Sequence, residues 1–223
     1  MVSGRASADI PGPSVQNGQN RELLTFLAEI AELETGLRGL AEFLDVAAYG
    51  ESRWHLSARN PDWGESLQTG DGPSARKLFL STDNQRRYAE NPWRDDVDRW
   101  SFSGGPFQMM PAAALATIDG AARSMDPMLV FEPAHAIAFI TDFVVRLIRN
   151  RGARTWESVK VGMGLPAAAK DPNHPEYRRI AEKFTKHARS TGHAGLGARA
   201  VPTTAQYPGF GPLLAALQFA RVS

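Results

Sequence analysis

The chain reads as a mainly α protein on three grounds: apolar residues recur at three- and four-residue steps, strand-like alternation is scarce, and helix start and stop signals bracket the patterned stretches. Leu23, Leu24, Leu27, Ile30 and Ala31 form one apolar stripe and Leu37, Leu40, Phe43 and Leu44 another, with Glu29, Glu32, Glu34 and Arg38 between them. Gly36 and Gly39 each weaken a helix by about 1 kcal/mol relative to alanine, so a break there predicts a second helix ending near Gly50. Short helices are expected over 74–80 and 83–90. Longer ones are expected from Pro111, whose ring suits a helix start, and over 133–149, 155–161 and 175–189. The apolar segment 213–219 is expected to dock on the core or on a partner.

At 223 residues the chain has length for one good-sized core. The expected layout is a tail over 1–19, one helical domain over 20–190 with a long irregular insertion at 57–100, and a Gly/Pro-rich arm over 191–223. Lysine plus arginine number 25 against 24 acidic residues, so no uniform field draws the chain to nucleic acid. The absence of cysteine excludes disulfides, thiolate metal sites and cysteine nucleophiles. The five histidines lack ligand spacing, so no metal is expected, and Gly192-His193-Ala194-Gly195-Leu196-Gly197 follows no strand and has the wrong spacing for a dinucleotide loop. It reads as a flexible loop, and no cofactor is expected. No apolar run approaches the ~18 residues of a membrane span. Residues 1–19 have neither the basic start nor the apolar run of a secretory signal.

Two short motifs carry chemistry. Glu51-Ser52-Arg53 stands where the second helix ends, and there the helix dipole opposes the negative charge of a carboxylate. Beyond the insertion comes Gly104-Gly105-Pro106-Phe107-Gln108-Met109-Met110-Pro111-Ala112. Taken alone, Glu51 is a solvated helix-end glutamate, Gln108 a loop amide, and Met109 and Met110 core packing; only their joint order points to a site. Trp54, Trp63, Trp93 and Trp100 lie in or beside the insertion and either form its core or, in the case of Trp54 and Trp63 together with Phe107, offer faces on which sugars stack.

In that order the motifs resemble the soluble lytic transglycosylases, relatives of goose-type lysozyme. The resemblance covers roughly residues 37–188 and implies a lysozyme-like helical domain. It makes Glu51 the catalytic acid/base, Ser52 its neighbour, and Gly105, Phe107, Gln108 and Met110 the groove-lining turn, with Trp54 as a stacking candidate. The substrate it implies is the β-1,4 bond between N-acetylmuramic acid and N-acetylglucosamine in peptidoglycan glycan strands. One carboxyl group would protonate the bridging oxygen and then take the proton of the sugar's 6-hydroxyl, closing a 1,6-anhydro ring. With water as acceptor the outcome is hydrolysis, and Asp62, Asp71 or Asp98 would help position it.

Two departures from the family pattern stand out. The 57 positions between Glu51 and Gln108 exceed the family's usual spacing, so the insertion must loop out. The family's third motif, Ala-Tyr-Asn-Ala-Gly, falls at 161–164, where neither tyrosine nor asparagine is present. Tyr177 is the substitute expected to reach the acid. A chain without a secretory signal is expected to be delivered to the wall by a phage particle or a secretion machine. The alternative is a catalytically inactive lysozyme-like component of a phage tail or secretion assembly, held by other chains of that assembly.

Overall fold

The computed structural model describes residues 13–60, 75–116, 118, 124–203 and 206–222. Among them the chain is mainly helical: α1 (Pro13–Thr35), α2 (Leu40–Ser52), α3 (Ala75–Phe79), α4 (Thr82–Arg87), α5 (Pro111–Ala116), α6 (Pro133–Arg151), α7 (Trp156–Gly164), α8 (Pro175–Thr191) and α9 (Phe210–Val222). Two two-residue strands, β1 (Arg59–Asn60) and β2 (Ser103–Gly104), pair antiparallel with Arg59 opposite Gly104.

Helix α6 is the central beam, and local chemistry sets both its ends. The Glu132 carboxylate accepts the His135 amide at 2.9 Å while Pro133 occupies the first turn. Gly152 closes the helix at φ 67°, a left-handed conformation glycine adopts without a Cβ clash. Its apolar face, Ala136, Ile137, Ile140, Val144, Val145 and Leu147, is buried together with Leu27, Phe43, Leu44, Trp156 and Phe184 from α1, α2, α7 and α8. The Phe43 and Trp156 rings stack at 4.9 Å. Between α1 and α2, Gly39 turns the chain at φ 89°, and a Cβ there would lie 2.9 Å from the Trp156 indole nitrogen.

Three expectations need correction. Helix α1 starts at Pro13, so the expected tail gives way to helix well before residue 19, and Asn20 is buried with its Oδ1 accepting Gln16 Nε2 at 3.1 Å. Residues 1–12 lie outside the described residues. The 191–223 arm is packed rather than extended: Leu196 and Val201 are buried, Ala200 bridges Thr155, and α9 buries Leu213 and Leu217 against α6 and α1. Tyr207 ties the approach to α9 by donating to Asp142 at 2.6 Å, and Phe210 stacks on Phe139 at 5.3 Å. The insertion builds a core of its own, in which Phe79, Tyr88, Trp100 and Phe102 bury against Leu115, Val130 and Phe139. The Phe79 and Trp100 rings lie 4.5 Å apart and nearly parallel, and the Trp100 indole donates to the Trp93 carbonyl at 2.9 Å. Trp100 is therefore a core residue, because only burial satisfies so large an apolar surface.

Candidate active site

Helix α2 ends at Ser52, which places Glu51 in its last turn, as the sequence predicts. The next two residues, Arg53 and Trp54, both take left-handed backbone at φ 57° and 62°. Such positions cost of order 1–3 kcal/mol each for residues other than glycine, so something must hold them. The Arg53 guanidinium lies 3.9 Å over the Tyr49 ring, and the Trp54 indole donates to Asp45 Oδ1 at 2.8 Å. The backbone thus reverses sharply and leaves Glu51 at the exit of the helix.

Across from it is the 105–108 turn. Gly105 has φ 73°, and a Cβ there would sit 2.0 Å from the Val130 carbonyl oxygen, so no other residue fits without moving that backbone. Gln108, at φ 48°, folds its amide back, with Nε2 donating to the Ala58 and Gly105 carbonyls, each at 3.1 Å. Ser52 joins the two halves, because its Oγ donates to the Pro106 carbonyl at 2.9 Å across 54 residues of chain. The Glu-Ser dipeptide and the Gly-Pro-Phe-Gln turn are thereby locked side by side. The described parts of the insertion between them, 57–60 and 75–100, contribute no residue to the lining of the cleft that the two motifs form.

Together they wall a cleft of about 490 Å³. Its lining takes Glu51 from α2, Phe107, Gln108, Met109 and Met110 from the turn, Phe139, Ile140 and Phe143 from α6, and Lys160, Met163, Arg179, Lys183 and His187 from α7 and α8. The Glu51 side chain is 32% exposed and makes an ion pair through Oε1 with Lys160 Nζ, itself only 14% exposed. Glu51 Oε2 accepts no hydrogen bond among the described residues. Burial, together with Lys183, Arg53 and Lys160, holds the His187 imidazole below its ordinary range, against the opposing pull of Glu51. Helices α2 and α8 approach closely here, since a Cβ on Gly50 would fall 2.4 Å from His187 Nδ1.

Comparison with models of known protein families, with curated proteins and with solved structures returned no match to this chain. The case for the site therefore stands on its own residues. Of those singled out in the sequence, Glu51, Phe107, Gln108 and Met110 share the cleft, while Ser52 and Gly105 shape it from behind. Trp54 and Tyr177 are placed elsewhere. Trp54 is half-buried, with the Arg21 guanidinium 4.8 Å from its ring centre and its indole donating to Asp45, and it does not line the cleft. Tyr177 donates its hydroxyl to Glu157 Oε1 at 3.3 Å, and burial and that carboxylate raise its pKa. It faces a separate surface groove with Glu157 and Thr185, so it does not substitute for the missing tyrosine. Asp98 lies outside the cleft lining as well, whereas Asp62, Asp71 and Trp63 fall outside the described residues.

The group that meets Glu51 is Lys160, which sequence reasoning missed. Its signal was its position, immediately before the 161–164 stretch where the family motif fails. The other unforeseen feature is the α8 ridge. Arg179, Lys183 and His187 recur every four residues and so share one helix face, which turns out to be the cleft wall. Among the described residues no three or more His, Asp or Glu side chains converge in a metal-binding group, and no helix is long and apolar enough to cross a membrane.

Proposed function

We propose that the chain is a peptidoglycan lytic transglycosylase with Glu51 as its single acid/base. The supporting observation is the Ser52–Pro106 hydrogen bond of 2.9 Å, which brings the Glu-Ser dipeptide against the Gly-Pro-Phe-Gln turn in one cleft. A second observation points the same way. Among the described residues the three left-handed residues other than glycine, Arg53, Trp54 and Gln108, sit in the two loops that meet there, and backbone strain concentrates at working sites.

In this reading Glu51 Oε2, free of other partners, carries the proton to the glycosidic oxygen, while Lys160 at Oε1 stabilises the carboxylate left behind. The carboxylate next takes the proton of the sugar's 6-hydroxyl. The apolar lining of Phe139, Ile140 and Phe143 offers a surface for the acetyl methyl groups of the sugars. Pure protein incubated with cell-wall sacculi should release muropeptides ending in 1,6-anhydro sugars; reducing ends in their place would assign hydrolysis. Sacculi left uncut would overturn the enzymatic reading.

Lys160 is also what favours a second reading, an inactive lysozyme-like part of a phage tail or secretion assembly. It already holds Glu51 in an ion pair, and among the described residues no tyrosine donates a hydrogen bond to Glu51. A chain of that kind leaves sacculi intact and still binds its assembly partners after Glu51→Gln.

A further inference from the structure

The charges along the cleft are not balanced alike. Glu51 and Lys160 answer each other, and Arg179 is held by Glu176 through Nη2 at 2.7 Å and Nε at 2.9 Å. Lys183, between Arg179 and His187 on the same face of α8, has no ion pair and no hydrogen bond among the described residues. It is exposed, and it lines a cleft that also presents phenylalanine, isoleucine and methionine. An ammonium at the edge of a cleft with much apolar lining, with no ion-pair partner among the described residues, is suited to a ligand that brings negative charge with it.

We propose that Lys183 recognises a carboxylate carried by the glycan beside the bond to be cut, so that the cleft selects acidic over neutral amino-sugar polymers. This deepens the peptidoglycan reading above and rests on it for the identity of the polymer. Two sources of that carboxylate exist on such a strand: the lactyl group of muramic acid, which is free once the stem peptide is removed, and the acidic residues of the stem peptide itself. Both present a planar anion to a flexible point charge, and the geometry of Lys183 accommodates either.

The test measures binding separately from cutting, by calorimetric titration of the full chain carrying Glu51→Gln with three probes. These are neutral N-acetylglucosamine oligomers, glycan strands stripped of stem peptide by an amidase, and the same strands with stem peptides intact. At low salt at least one acidic probe should bind about tenfold more tightly than the neutral one, as expected for one charge-assisted contact. The tighter of the two acidic probes identifies the source. Adding Lys183→Glu should bring the acidic probe down to the neutral level and leave the neutral oligomer unchanged, with Lys183→Gln in between and melting temperatures preserved. Equal binding of all three probes, binding by none, or acidic binding unaltered by both lysine substitutions would overturn the proposal. Failure of the underlying reading shows differently: sacculi uncut by the native chain with the acidic preference intact remove the enzyme and keep Lys183, whereas cutting with charge-blind binding removes Lys183 and keeps the enzyme.

Discussion

Of the three carboxylates on helix α2, Asp45 and Glu51 lie six residues apart, about 120° from each other around the helix, and they have opposite fates. Asp45 is buried and fully engaged. Arg21 grips it through Nε at 3.0 Å and Nη2 at 2.7 Å, Trp54 donates at 2.8 Å, and His193 Nε2 lies 3.0 Å away. Glu51 is at the surface of a cleft with one partner and one unused oxygen. A carboxylate whose lone pairs are all occupied from three directions is architecture, pinning α1, the Trp54 turn and the segment after α8 to one point. A carboxylate with an open lone pair in a sheltered cleft is available for chemistry.

The sharpest way to break this comparison is to remove each charge in turn. Glu51→Gln should lower sacculus turnover by about 10²–10⁴-fold, the usual weight of a general acid/base. Its melting temperature should hardly move, because a partly exposed ion pair contributes roughly 0–1 kcal/mol. Retained turnover would sink the acid/base role. Asp45→Ala should do the reverse, costing about 3 kcal/mol by leaving Arg21 and His193 without their carboxylate. In a domain of this size that amounts to a fall of roughly 6–12 °C in thermal unfolding, with turnover per folded molecule falling far less than for Glu51→Gln, through the Trp54 turn that Asp45 holds. An unchanged unfolding curve would show that the Asp45 network holds nothing.

Two smaller effects sharpen the contrast. Ser52→Ala removes the bridge to Pro106 and should cost about 1 kcal/mol in unfolding. Turnover should fall by more than the unfolded fraction explains, since the 105–108 turn loses its alignment; a loss confined to stability would make Ser52 a packing residue only. The smallest effect belongs to His187. Its folded pKa is lowered by burial and by Lys183, Arg53 and Lys160, so the unfolded chain binds the proton more readily. The stability this lends is present above the unfolded value of about 6.5 and drains away as pH falls through the folded one. His187→Gln should therefore flatten the decline in melting temperature between neutral and mildly acidic pH, and an unchanged slope would assign the decline elsewhere.

Legibility in the sequence followed the range of the interaction. Helix α6 was readable to within two residues because Glu132, Pro133 and Gly152 act within one turn of its ends. The position of Glu51 was readable for the same reason, from the apolar period of α2 and the glycines before it. The tryptophans were not: Trp54 is a stacking candidate by residue type, yet its half-buried indole is tied to Asp45 outside the cleft, and Trp100 is interior only through partners such as Phe79 and Tyr88. Tyr177 misled because its residue type matched the missing one, while α8 directs its hydroxyl to Glu157.

The amino-acid order by itself determined the mainly helical class, the break at Gly36 and Gly39, and the presence of a carboxylate at a helix exit, since periodicity and capping are settled among neighbours. Tertiary structure alone decided that Ser52 meets Pro106, that Lys160 crosses 109 positions to meet Glu51, and that Lys183 borders the same cleft. Those meetings depend on how α2, α7 and α8 pack around α6, and no local pattern encodes the distance between side chains on helices that touch only when the core is buried.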